Sequence, residues 1–138
     1  MRVMTVCVAL ALTGAGVVEA KTTPKAGLEI YDCKLNGDNH NYVADHIVFA
    51  LDTATGAMRV DDGIIEFFAH KPADAVVTGN DASVITFTWG VFMTNSKTQS
   101  TKMAYRATYF RSNAILEVTA RPAGYRNYFS GRGTCVRQ

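Results

Sequence analysis

Five residues near the end of the chain hold most of its capacity for recognition: Arg121, Tyr125, Arg126, Tyr128 and Arg132. A guanidinium presents paired donors to a carboxylate or phosphate, and a phenol ring offers a face on which a cation can rest. Interleaved in this way, the five predict a surface for an anionic ligand or a protein partner. The distribution of charge points the same way. Residues 21–100 carry six Lys/Arg against ten Asp/Glu, whereas residues 101–138 carry seven (Lys102, Arg106, Arg111, Arg121, Arg126, Arg132, Arg137) against Glu117 alone. Such a basic C-terminal third calls for an anionic partner, or else its arginines pair with the acidic part of the same domain.

Arg132 sits in Gly131-Arg132-Gly133, which invites comparison with a phosphate-holding loop. That loop needs a following helix whose first amides face the anion. Only five residues follow Gly133, so a loop of this type is excluded. Gly131 and Gly133 alternate with Phe129 and Cys135. Residues lacking side chains at that spacing predict close backbone approach as a barrel closes, with Arg132 turned towards solvent or an anionic ligand.

Covalent chemistry has thinner support. No Gly-x-Ser-x-Gly elbow occurs, and Ser130 is the one serine beside a glycine. Asp61, Asp62 and Glu66 are available for paired-carboxylate acid–base work, yet Asp61-Asp62-Gly63 has the composition of a turn. His40, His46 and His70 form no zinc spacing, and Asp45 and His46, adjacent on a strand, face opposite sides. These observations predict no catalytic set, no metal and no cofactor. The polar segment 94–102 reads as the longest loop, with Lys97 and Lys102 as candidates for insertion into a partner's cleft.

The start of the chain predicts its compartment. Arg2, the apolar run Val3–Val18 and the small-residue pattern before Lys21 form a secretory signal peptide over residues 1–20. The run is shorter than the roughly 20 residues of a spanning helix, and no other segment crosses a bilayer. Cleavage after Ala20 removes Cys7 and leaves Cys33 and Cys135, which in an exported chain predict a disulfide. Closing a loop of about 100 residues, it contributes roughly 4–5 kcal/mol by the chain-entropy argument. Export to the periplasm or the medium also removes nucleic acid as a partner.

The elements that must position these residues are strands. Residues 21–27 read as a flexible leader, and residues 28–138 as one domain. Apolar residues alternate in 47–51, 85–91, 105–109 and 116–120, and Asp/Asn/Gly/Pro clusters separate the runs. Residues 64–69, Ile-Ile-Glu-Phe-Phe-Ala, read as a further short strand, and Gly79-Asn80-Asp81 as a tight turn. No helical period extends over ten residues beyond the signal peptide. The chain is therefore all-β: a small antiparallel meander barrel of about eight strands, or a flattened sandwich, its ends joined by Cys33–Cys135.

The segment Ile30-Tyr31-Asp32-Cys33-Lys34-Leu35, the terminal Gly133-Thr134-Cys135 and the signal peptide together resemble the periplasmic inhibitors of C-type lysozyme. The resemblance implies a small barrel with its ends joined by a disulfide. That family blocks its enzyme with a serine and a lysine from Ser-Gly-x-x-Tyr and Lys-Gly motifs. Here Ser130-Gly131-Arg132-Gly133 lacks the tyrosine and no Lys-Gly occurs, so the architecture carries over and the inhibitory residues do not. The function expected is that of an exported, non-catalytic binding barrel of the bacterial envelope. An inhibitor of an envelope hydrolase and a structural part of an envelope or secreted assembly are the alternatives.

Overall fold

A computed structural model describes residues 27–37 and 42–138. The expected signal peptide, the leader up to residue 26, and His40 lie outside the described residues. The elements are β1 (Leu28–Gly37), β2 (His46–Asp52), β3 (Met58–Asp62), α1 (Gly63–Ala69), β4 (Ala73–Asn80), β5 (Val84–Thr94), β6 (Ser100–Phe110), β7 (Ile115–Pro122) and β8 (Phe129–Arg137). Each strand pairs antiparallel with the next, and β8 returns to β1, closing a barrel. Closure decides between the two architectures that the strand pattern allowed.

The period-two alternation fixes what faces inward. Ile47, Phe49 and Leu51 of β2, Ile85, Phe87, Trp89 and Val91 of β5, Tyr105, Ala107 and Tyr109 of β6, and Leu116, Val118 and Ala120 of β7 are all buried. Their rings form a continuous column. Tyr31 stacks on Phe49 at 4.7 Å between centroids, Phe49 meets Phe87 at 4.9 Å, Phe87 meets Trp89 at 5.6 Å, and Trp89 lies flat on Tyr105 at 5.0 Å. Contacts of this kind add about 0.5–1.5 kcal/mol each beyond area burial. The column fills the lumen, so ligand sites belong to the barrel's ends and outer face. Two of the buried phenols have their polar tips satisfied: Tyr31 donates to Glu29 Oε2 at 2.8 Å, and Tyr105 donates to the Tyr42 carbonyl at 2.9 Å. Burial first, and the charge of Asp62 second, hold the Tyr105 phenol well above its usual range.

Cys33 and Cys135 lie directly opposite each other on β1 and β8 and are bonded, with Cα atoms 4.0 Å apart and a sequence separation of 102. Two positions along, Gly133 faces Leu35. A β-carbon there would fall 2.6 Å from the Leu35 Cα and closer still to the Lys34 carbonyl oxygen. Only glycine fits, as the Gly-x-Gly spacing predicts.

Three segments depart from the sequence reading. Residues 64–69 are not a strand but lie in helix α1. Asp62 ends β3 and caps the helix, its Oδ1 accepting from the Ile64 and Ile65 amides at 2.8 Å each. His70 closes the helix in the left-handed conformation (φ 57°), and Pro72 follows. Two turns are too short to display a 3.6-residue period, so the Ile/Phe richness imitates a strand. Fully buried Ile65 plugs one end of the barrel against β3 and β5. Residues 94–102 are not a long loop. β5 runs to Thr94 and β6 starts at Ser100, and the turn 95–99 is closed by Asn95, whose side-chain oxygen accepts from the Lys97 and Gln99 amides. Finally, β4 continues through Asn80 after a register shift between Val77 and Gly79. The turn there belongs to Asp81, whose carboxylate accepts from Ser83 and Val84; these backbone bonds hold its pKa below the ordinary value.

The meander sorts its connections. One end carries residues 42–45, α1 with 70–72, and the turns 95–99 and 123–128; the other carries 53–57, 81–83, 111–114 and the outer ends of β1 and β8. Among the described residues no helix is long and apolar enough to cross a membrane.

Candidate functional site

The outer face of β5, β6 and β7 carries a basic depression. On β6 the alternation that buries Met103, Tyr105 and Ala107 turns Lys102, Ala104 and Arg106 outward. Pairing places Gly90 of β5 and Arg121 of β7 on either side of Ala104, Phe92 beside Lys102, and Thr88 and Thr119 beside Arg106. Three cations thus surround a floor of Gly90 and Ala104. The hollow is about 640 Å³. Gly90 is small for a reason visible here: a β-carbon on it would come within 2.7 Å of the Lys102 Cε. The lysine stem lies across the glycine, and its ammonium sits 5.8 Å from the Phe92 ring centroid. The Arg121 guanidinium lies 5.7 Å from the Tyr128 ring centroid.

Charge pairing singles out this face. Among the basic residues beyond position 100, Arg111 and Arg137 both reach Glu29, at 3.8 and 3.5 Å, and Arg132 reaches Glu117 at 3.2 Å. Among the described residues, Lys102, Arg106, Arg121 and Arg126 have no ion-pair partner, and the first three share the depression. The one carboxylate at its edge, Asp74, pairs with Arg59 at 3.6 Å. Internal pairing therefore accounts for part of the basic excess and leaves three of the four remaining cations in one place.

The five residues that sequence reading grouped do not converge as one set. Arg121 and Tyr128 do. Tyr125 and Arg126 stand exposed on the 123–128 turn, and Arg132 lies across from Glu117 on the β7–β8 ladder. The two lysines assigned to one loop separate as well: Lys97 occupies the tip of the β5–β6 turn, while Lys102 belongs to the basic face. Arg106 was counted in the charge excess but not singled out. The alternation Met103, Tyr105, Ala107 against Lys102, Ala104, Arg106 was the signal that joins it to Lys102.

Asp61, Asp62 and Glu66 line a second hollow of about 620 Å³ with Asp45 and His46. The Asp62 carboxylate is committed to the helix cap. Burial raises its pKa, the Ile65 and Ile64 amides oppose the shift, and the charge of Asp61 adds to it. Oδ1 of Asp61 is buried without a hydrogen-bond partner. His46 Nε2 lies 2.7 Å from Asp32 Oδ1 on the neighbouring strand. Asp45 precedes β2 and His46 opens it, so the two do not occupy one strand as read. Among the described residues no three His, Cys, Asp or Glu side chains are placed to share a metal ion. Ser130 faces Thr119 across the β7–β8 ladder.

Comparison with protein-family models, with curated proteins and with solved structures returns no match.

Proposed function

We propose that this chain is an exported, non-catalytic binding barrel of the cell envelope, acting in the periplasm or the medium. Its ligand carries clustered oxyanions. One observation carries the reading: Lys102, Arg106 and Arg121 share an outward face around Gly90 and Ala104 with no acidic partner among the described residues. Uncompensated cations around a small-residue floor favour phosphate or carboxylate groups, which guanidinium binds with paired hydrogen bonds. The disulfide and the signal-like start of the sequence support export.

The test is calorimetric titration of the oxidised domain with tripolyphosphate and, separately, with polyglutamate, each at low and high salt. Salt-sensitive binding that disappears in a Lys102→Ala/Arg106→Ala/Arg121→Ala variant and survives in Arg132→Ala supports the reading. The stronger of the two probes identifies phosphate or carboxylate as the source. Equal binding by the triple variant, or no binding of either probe, refutes it.

A second reading, inhibition of a cell-envelope hydrolase, draws on Lys97. This residue stands at the tip of the hairpin formed by the two longest strands, and among the described residues its ammonium has no partner. Inhibition of C-type lysozyme that is lost in Lys97→Ala would favour this reading.

A further inference from the structure

The inward series of side chains and the ring column stop at different heights. The column ends with the Trp89–Tyr105 stack. Beyond it towards the helix end, the series continues with Met93 on β5, and Met103 faces Pro122 across β6 and β7. Flexible thioethers and a proline replace the rings there, and the lumen opens into a cavity of about 410 Å³ beneath the 95–99 and 123–128 turns. Phe68 of α1 forms one wall. Tyr42 and Phe129, with ring centroids 4.5 Å apart, form another. Tyr125 on the exposed turn completes the rim.

Two properties define what this mouth accepts. None of its lining residues is charged, whereas acidic or basic side chains line the basic depression and the Asp61–Asp62 hollow. Its polar side chains are neutral: Asn95, Gln99 and Asn127 bring amides, Thr94 and Thr101 hydroxyls, and all of these but half-buried Thr101 are exposed. An apolar floor with a few neutral hydrogen-bonding groups at its edge is the usual constitution of a small-molecule site, and the volume lies within the range such sites occupy. Methionine sulfur and aromatic edges favour contact with a flat ring.

We propose that the mouth of the barrel binds an uncharged small molecule bearing an aromatic ring. The ring lies against Met93, Met103 and Phe68, and a polar substituent points to the rim amides. This site is separate from the basic face and does not depend on it.

Fluorescence titration with the neutral dye N-phenyl-1-naphthylamine tests the proposal. Saturable, one-to-one enhancement that is indifferent to salt is the expected result. Thr101→Phe, which fills the rim, weakens it about tenfold, the equivalent of roughly 1.4 kcal/mol. Tyr125→Ala, at an exposed turn position that leaves the core intact, weakens it less. The Lys102→Ala/Arg106→Ala/Arg121→Ala variant leaves it unchanged. Absence of saturation, unaltered binding in Thr101→Phe, or loss of binding in the cation variant overturns the proposal. Failure of the oxyanion titrations leaves this result untouched.

Discussion

Gly133 and Leu35 face each other across the β1–β8 seam so closely that no β-carbon fits between them. The obstruction is backbone, the Leu35 Cα and the Lys34 carbonyl, so neither a rotamer change nor a small side-chain shift relieves it. Gly133→Ala should therefore cost roughly 3 kcal/mol or more, the upper part of the range for overpacking. At Gly131 the nearest obstacle is the Val43 side chain, 2.8 Å from the β-carbon position, which can move. Gly131→Ala should cost about 1 kcal/mol. Urea denaturation of the two oxidised variants beside the parent checks the order; equal losses would refute the distinction.

The disulfide stands two positions along the ladder from that contact. Replacing Cys33 and Cys135 together by alanine should lower stability by about 4–5 kcal/mol, because the unfolded chain regains the freedom of a long loop. Denaturant midpoints of the parent, oxidised and reduced, and of the double variant measure it. The reduced parent should behave like the double variant.

Asp62 sets a pH dependence. Its native pKa lies above its unfolded value, so the folded chain holds that proton more tightly. The corresponding stability is full below the ordinary carboxylate range and is lost as pH rises through the raised native value. Asp62→Asn keeps an acceptor for the Ile64 and Ile65 amides without a charge, and should flatten the stability profile in this window. Asp62→Ala, lacking the cap, should be less stable than Asp62→Asn by about 1 kcal/mol. Urea melts at stepped pH from about 3 to 7 distinguish the three chains. A parent profile as flat as that of Asp62→Asn would contradict the assignment.

Gly90→Ala separates binding from folding. The new methyl displaces the Lys102 stem, a flexible obstacle, so the strand should gain about 0.5–1 kcal/mol from losing a glycine. Tripolyphosphate affinity should fall about two- to fivefold, the worth of one exposed charge contact. Thermal melts and titrations on the same sample read both effects. Unchanged affinity would mean that the lysine's position over Gly90 has no part in recognition.

Much of this architecture was legible because alternation is a local signal. Runs such as Ile85, Phe87, Trp89 and Val91 announce both a strand and the face it buries, and the two cysteines near the ends of the domain announce their pairing. Helix α1 was not legible by period, since seven residues give fewer than two turns. Its ends were: Asp62 before an apolar run and Pro72 after it are start and stop signals. The site was half legible. Composition located the surplus of positive charge but not its partners, because pairing across a ladder depends on register. Arg132 meets Glu117, and Arg121 meets Ala104, through pairings that no linear pattern displays. Grouping by proximity in sequence therefore joined Arg132 to Arg121 and separated Lys102 from it.

The Cys33–Cys135 bond also governs how the molecule answers tension. A pull applied at Leu28 and Arg137, the outer ends of β1 and β8, reaches the covalent bridge within a few residues on either side, and the hundred residues between are shunted out of the path. Stretched from these two points, the oxidised barrel should lengthen by only those few residues, behaving as a knot on a string. Reduction would release the whole contour.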